Sequence, residues 1–257
     1  MLLAIDAGNT NIVFAVYDGK ERRAVWRCKT DAARTADEYI VFLSQLCDQA
    51  GISFKTINHV IVSSVVPDIN FPLRLMAFQA FGKKAKFIGK EIKDVGLKIK
   101  LDKPEEIGAD RMVNAVAVLK YYKAPAIVVD FGTATTFDVI DKSGAFCGGA
   151  IAAGVNLSIS ALHMAAAKLP KVSVSRPRKT IGSNTVSAMQ SGIYWGYVGL
   201  VEGMLKRISA EMKVKPLVIA TGGLAPLFQG DIPLIQKIDD ELTLKGLLAI
   251  YEDQKKK

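Results

Sequence analysis

Two short segments of this sequence share one pattern of residue types suited to holding a polyphosphate. Ile5-Asp6-Ala7-Gly8-Asn9-Thr10 and Val129-Asp130-Phe131-Gly132-Thr133-Ala134 each run an apolar stretch into Asp-x-Gly, and a second apolar stretch follows at once. Gly8 and Gly132 let the backbone approach phosphate oxygens closely, and the N–H groups of the turn converge on the negative charge. Thr and Asn side chains beside them add hydrogen bonds. Asp6 and Asp130 repel phosphate, so their natural task is to organise a cation or its hydration shell. One Asp-x-Gly alone reads as an ordinary hairpin turn. Two in register, together with Thr221-Gly222-Gly223 after a later apolar run, point to a nucleotide, with Gly222 and Gly223 giving its base or ribose access to the backbone. Other nucleotide signatures are missing: the chain has neither GxxxxGK[ST] nor a GxGxxG after a strand. Asp130-Phe131-Gly132 spells the DFG of protein kinases, yet no HRD or VAIK accompanies it.

These residues need strands that end together. Residues 2–6 and 11–17 predict two strands around the first loop, and Asp18-Gly19 turns the chain into a third over 22–29. Apolar spacing predicts a helix over 37–50, then a strand over 59–66, a helix over 72–81 and a short strand over 85–88. The order then repeats. A helix is expected over 105–122, strands over 126–130, 135–140 and 147–151, and helices over 155–167 and 183–212. A strand over 217–221 and a helix over 241–251 follow. Two copies of a meander-then-helices unit imply two similar domains.

Composition narrows the class. The 257 residues are half hydrophobic and 23% charged, which is ordinary globular usage with ample core material. Three cysteines without CxxC spacing disfavour a disulfide framework. His59 and His163 fit neither a zinc motif nor a Ser-His-Asp hydrolase. No run approaches 18 apolar residues, and Asp6 cuts short the apolar opening at Met1, so neither a membrane span nor an export signal is expected and a cytoplasmic location is. The net charge of +9 fits a nucleic-acid surface, a bias towards anionic small molecules such as ATP, or plain surface solubility, and charge alone decides little. The lysines are dispersed, without the aromatic interleaving of an RNA-binding sheet, and nucleic acid is disfavoured.

Paired Asp-Gly hairpins with a Gly-Gly loop resemble the superfamily of sugar kinases, actin and the heat-shock ATPases. Within it, five segments resemble type III pantothenate kinases: Asp6-Ala7-Gly8-Asn9-Thr10-Asn11, Arg34-Thr35-Ala36-Asp37-Glu38, Gly108-Ala109-Asp110-Arg111, Asp130-Phe131-Gly132-Thr133-Ala134-Thr135 and Thr221-Gly222-Gly223-Leu224-Ala225. The resemblance implies an α/β fold of two duplicated ribonuclease H-like domains, each a mixed five-stranded sheet with flanking helices, around a nucleotide cleft. Their expected extents are 1–103 and 104–257.

The resemblance also implies roles. Asp6, Ala7, Gly8, Asn9, Thr10, Asn11, Ile12 and Val13 contact ATP, as do Gly132, Thr133, Gly222 and Gly223. Gly108, Ala109, Asp110 and Arg111 line a pantothenate pocket with Asp110 as catalytic base, and Thr185 contacts pantothenate in a homodimer. Asp130 holds a monovalent cation, potassium or ammonium. The chemistry of the first loop adds magnesium bridging the phosphates through water ordered by Asp6. Taken alone, Asp110-Arg111 reads as a solvated ion pair at the start of a helix. The residues nonetheless suit the role, because phosphoryl transfer needs mostly positioning and charge neutralisation. Leu101-Asp102-Lys103-Pro104 departs from the family, which usually carries an aromatic residue where Leu101 stands. Two alternatives stay open: a sugar or other small-alcohol kinase of the same fold, and a non-catalytic accessory factor in gene regulation.

Overall fold

In the computed structural model the described residues are 1–165, 170 and 172–256. They divide into two compact units, the first comprising residues 1–97, 105–121 and 242–257 and the second 98–104 and 122–241.

The first unit is built on strands β1 (Leu2–Ala7), β2 (Asn11–Asp18), β3 (Glu21–Lys29), β4 (His59–Ser64) and β5 (Ala85–Phe87). Their order in the sheet is β3-β2-β1-β4-β5, antiparallel across the meander and parallel from β1 to β5. Alternation along β1 sends Leu3, Ile5 and Ala7 to one face, where they join a core with Tyr39, Leu43 and Cys47 of helix α1 (Ala36–Gln49) and Leu73, Met76 and Ala77 of α2 (Asn70–Phe81). Thr35 caps α1 by accepting from Glu38 N (3.3 Å), and the Glu38 carboxylate accepts from Thr35 N (2.7 Å). This reciprocal pair satisfies two otherwise orphaned amides and is worth about 1 kcal/mol.

Helices α3 (Ala109–Tyr121) and α7 (Leu242–Gln254) also belong to this unit, and α7 packs on β1 and β4. They lie tightly together. A methyl group on Gly246 would come 2.2 Å from Val113 O, and Thr243 Oγ1 donates to Asn114 Oδ1 (2.8 Å).

The second unit repeats the plan. Strands β6 (Ala126–Phe131), β7 (Ala134–Ile140), β8 (Phe146–Ala153), β9 (Leu217–Thr221) and β10 (Lys237–Ile238) run in the order β8-β7-β6-β9-β10. The pairing senses match those of the first sheet strand for strand. Helices α4 (Val155–Ala165) and α5 (Thr185–Met212) lie between β8 and β9 in the chain, and the short α6 (Ala225–Phe228) between β9 and β10. Val129, Phe131 and Phe137 form a core with Tyr194, Tyr197 and Val201 of α5 and Phe228 of α6. Arg176 is bidentate to Asp231 (2.6 and 2.9 Å), and Tyr194 donates to the same carboxylate (2.6 Å), which holds the Asp231 pKa down to about 2. The segment before α5 is thereby fastened to the turn that follows α6.

Both sheets are mixed and five-stranded with flanking helices, as the family resemblance implies. Two details differ. The helix expected from residue 105 starts at Ala109, because Pro104–Glu106 forms a separate 3-10 turn. The helix expected over 155–167 is seen to Ala165, and Ala166 and Ala167 lie outside the described residues. Among the described residues no helix is long and apolar enough to cross a membrane.

Candidate active site

In the first unit, β1 places Asp6 beside Val13 of β2 and Ser63 of β4. The turn after it closes when Gly8 N donates to Asn11 O (3.1 Å). Thr30, just past β3, adds two further bonds: its N–H to Thr10 O (3.0 Å) and its hydroxyl to Gly8 O (2.6 Å). Asn9, Thr10 and Asn11 are exposed, whereas Ala7 and Ile12 are buried and support the hairpin from within.

The second unit reproduces this turn. Asp130 lies between Thr136 of β7 and Thr221 of β9, in the places that Val13 and Ser63 take around Asp6. Gly132 N donates to Ala134 O (3.1 Å), and Gly154 N donates to Thr133 O (3.1 Å). The second loop is one residue shorter, since Gly8 reaches Asn11 while Gly132 reaches Ala134. The six-residue match of the two segments therefore slips inside the loop, and Thr133 corresponds to Thr10, not Asn9. Thr133 is exposed; Thr135 behind it is buried against the Tyr197 hydroxyl.

Gly222 meets this second loop directly. Its φ is +89°, and a Cβ there would stand 2.7 Å from Asp130 Oδ1 and 2.7 Å from Phe131 O. Only glycine combines that backbone conformation with that approach. Asp130, Gly132 and Gly222 are thus brought together: a Cβ on Gly132 would also lie 3.6 Å from Asp130 Oδ1. Gly223 faces open space. Gly154, which the sequence pattern did not single out, is held as closely, with Thr133 O 2.3 Å and Gly132 O 2.6 Å from where a Cβ would stand.

Gly108-Ala109-Asp110-Arg111 starts α3 in the first unit. Asp110 is the second residue of the helix, and its Oδ1 accepts from Arg111 N (2.8 Å). Burial pushes the Asp110 carboxyl above the ordinary carboxylate range, against the opposing pull of the Arg111 N–H and guanidinium. A carboxylate so destabilised is a stronger proton acceptor, which is what a general base requires. Gly108 makes room for it, since a Cβ there would lie 2.5 Å from Asp110 Oδ1. The clash is with the mobile end of a side chain, so Gly108→Ala is expected to rotate the carboxylate without unfolding the helix. Turnover should fall about tenfold or more while the melting temperature moves by less than about 2 °C, measured by steady-state kinetics and calorimetry.

Thr185 opens α5 in the second unit. It follows the capping residue Asn184, whose side chain accepts from Ser187 N (2.9 Å), and it lines an open cavity of about 650 Å³ with Ser158, Ala188, Met189 and Gly192.

A duplicated β3-β2-β1-β4-β5 sheet with a glycine turn at the tip of each first strand defines the fold of the sugar kinases. A ROK hexokinase from Thermus thermophilus superposes with a TM-score of 0.51 over 100% of this chain and 99% of its own, at 14% identity. Sequence places the chain more narrowly. The profile described as type III pantothenate kinase matches residues 2–207. The type III pantothenate kinase of Paramagnetospirillum magneticum is 58% identical over 98% of this chain and 96% of its own length. That of Rhodospirillum rubrum is 57% identical over 98% of each. The chain belongs to the type III pantothenate kinase family.

Proposed function

We propose that this chain transfers the γ-phosphate of ATP to the hydroxyl of pantothenate, giving 4′-phosphopantothenate in the first step towards coenzyme A. The observation that carries this reading is Asp110: a part-buried carboxylate with a raised pKa, set by Gly108 at the start of α3, in a member of this family. Asp110 accepts the hydroxyl proton as the oxygen attacks phosphorus. Arg111 holds the substrate carboxylate or an equatorial phosphoryl oxygen, and Gly108 and Ala109 line the same pocket. ATP is contacted by residues 6–13, by Gly132 and Thr133, and by Gly222 and Gly223.

Among the described residues no three metal-ligating side chains cluster. A magnesium ion fits this site as one held chiefly by phosphate oxygens, with Asp6 ordering its water. Bound there it supplies charge neutralisation on the transferring group. Asp130 Oδ1 and Phe131 O both lie beside Gly222, 2.7 Å from where a Cβ would stand, and Asp130 supplies the carboxylate for a monovalent cation, potassium or ammonium.

Thr185 contacts pantothenate in a homodimer formed through α4 and α5. Supporting this, Leu157, Met164, Ile181 and Val186 are exposed, and Cβ atoms on Gly192, Gly196 and Gly199 would meet nothing. Light scattering should give twice the mass of the 27.8 kDa chain. The sequence duplication is read as domains 1–103 and 104–257, and the enzyme as cytoplasmic.

The direct test is phosphate transfer from ATP to pantothenate with and without potassium. Potassium-stimulated product formation is expected. ATP binding with pantothenate left untouched would keep the fold and reject the acceptor, in favour of another small alcohol.

A further inference from the structure

The first loop owes its shape to a residue outside it. Thr30 N donates to Thr10 O (3.0 Å) and Thr30 Oγ1 to Gly8 O (2.6 Å), so one residue fixes two carbonyls of the Gly8-Asn9-Thr10 turn. Both peptides are trans and planar, so each N–H points opposite to its C=O. With the carbonyls of Gly8 and Thr10 drawn onto Thr30, the N–H groups of Asn9 and Asn11 face the other way. A loop meant for phosphate must present N–H and hide C=O, since a carbonyl turned outwards would repel the anion. The Gly8–Asn9 peptide is the one most prone to flip, because Gly8 lacks a side chain to oppose rotation.

Thr30 is itself held on a stiff connection. Asp31 Oδ1 accepts from Ala33 N (2.9 Å), Arg34 N donates to Asp31 O (3.2 Å), and the Arg34 guanidinium lies 5.4 Å over the Tyr39 ring. Thr35 and Glu38 then cap α1. The Arg34-Thr35-Ala36-Asp37-Glu38 segment, which the proposed chemistry leaves without a task, is the anchor of this connection. The second loop has the same carbonyl fixed by Gly154 N on Thr133 O (3.1 Å), so orienting this peptide is common to both turns.

We propose that Thr30 is a positioning residue for ATP, setting the polarity of the first phosphate loop through Gly8 O and Thr10 O. The inference rests on the reading that residues 6–13 contact ATP. Thr30→Val keeps the β-branched shape and the backbone N–H and removes only the hydroxyl. It should raise the KM for ATP about fivefold, the effect of one lost hydrogen bond to a carbonyl, with the KM for pantothenate and kcat within about twofold. Thr30→Ser, which restores the hydroxyl, should recover the ATP value. An unchanged KM for ATP in Thr30→Val overturns the proposal. So does a parallel rise in both KM values with a lowered melting temperature, which would make Thr30 merely structural. Asp6→Asn, run alongside, separates the two failures. If it leaves ATP affinity intact, the loop reading itself is wrong; if it weakens ATP while Thr30→Val does not, only the role of Thr30 falls.

Discussion

Asp110→Asn is expected to lower turnover about a hundredfold or more and to leave the fold at least as stable as before. The two effects share one cause. Burial raises the Asp110 pKa in the folded protein, so the folded state holds its proton more tightly than the unfolded chain does. The stabilising contribution of this group is fully present below the unfolded carboxylate pKa, about 3.9, and is lost as pH rises through the folded value. At neutral pH the ionised Asp110 is therefore a cost to the fold. The amide removes that cost together with the base. Melting temperature at pH 7 should be equal or higher in the variant, and the difference should vanish towards pH 3.

The pH–rate profile gives a second reading of the same group. With Asp110 as the proposed base, the deprotonated carboxylate is the active form, so kcat/KM should rise with pH through an acid limb lying above the ordinary carboxylate range, and the limb should disappear in Asp110→Asn. A variant that melts lower, or that keeps the limb, would mean that Asp110 is structural and that the base lies elsewhere.

The second large effect is expected at Gly222. Alanine there must adopt a φ near +89° and place its methyl 2.7 Å from both Asp130 Oδ1 and Phe131 O. Phe131 O belongs to the end of β6 and cannot swing aside as a side chain would, so the loop after β9 must move. A strained residue of this kind costs about 1–3 kcal/mol, and the melting temperature should fall by about 5 °C. Where the variant is still folded, the proposed cation site at Asp130 predicts that potassium stimulation is lost and that the KM for ATP rises about tenfold, because the Asp130 carboxylate is displaced from its place beside Gly222. Gly223→Ala isolates the local effect. Its methyl meets no atom within 4 Å, so stability should hold, and any change should be confined to ATP affinity. Equal melting temperatures for the two variants would refute the crowding at Gly222.

The two hairpins were readable in the sequence because glycine and short apolar runs punctuate them, and the duplication was readable because both copies keep Asp-x-Gly. The slip of register between Asn9 and Thr133 was not. A six-residue match cannot reveal a one-residue insertion, which appears only in which carbonyl each glycine amide reaches. The sequence places the start of α3 too early because Pro104, Glu105 and Glu106 are typical of a helix N-terminus; that turn ends at Glu106, and the helix begins afresh at Ala109. Strand β10 has two residues and no periodicity to find. Thr30 and Gly154 carry no motif, since each acts through a hydrogen bond to a loop far away in sequence. The packing of α3 and α7 with the first sheet is likewise a long-range outcome, decided by close approach at Gly246 rather than by local pattern.

That grouping bears on synthesis. The first unit contains β1 at one end of the chain and α7, which begins at Leu242, at the other. A ribosome that has delivered residues 1–97 has made every strand of the first sheet but not the helix that packs on β1 and β4. All of the second unit's strands emerge before that helix does. The half of the protein begun first is therefore the half completed last. A nascent chain stalled before Leu242 would leave uncovered the part of β1 and β4 on which α7 packs, which a chaperone or a second nascent chain would be free to cover.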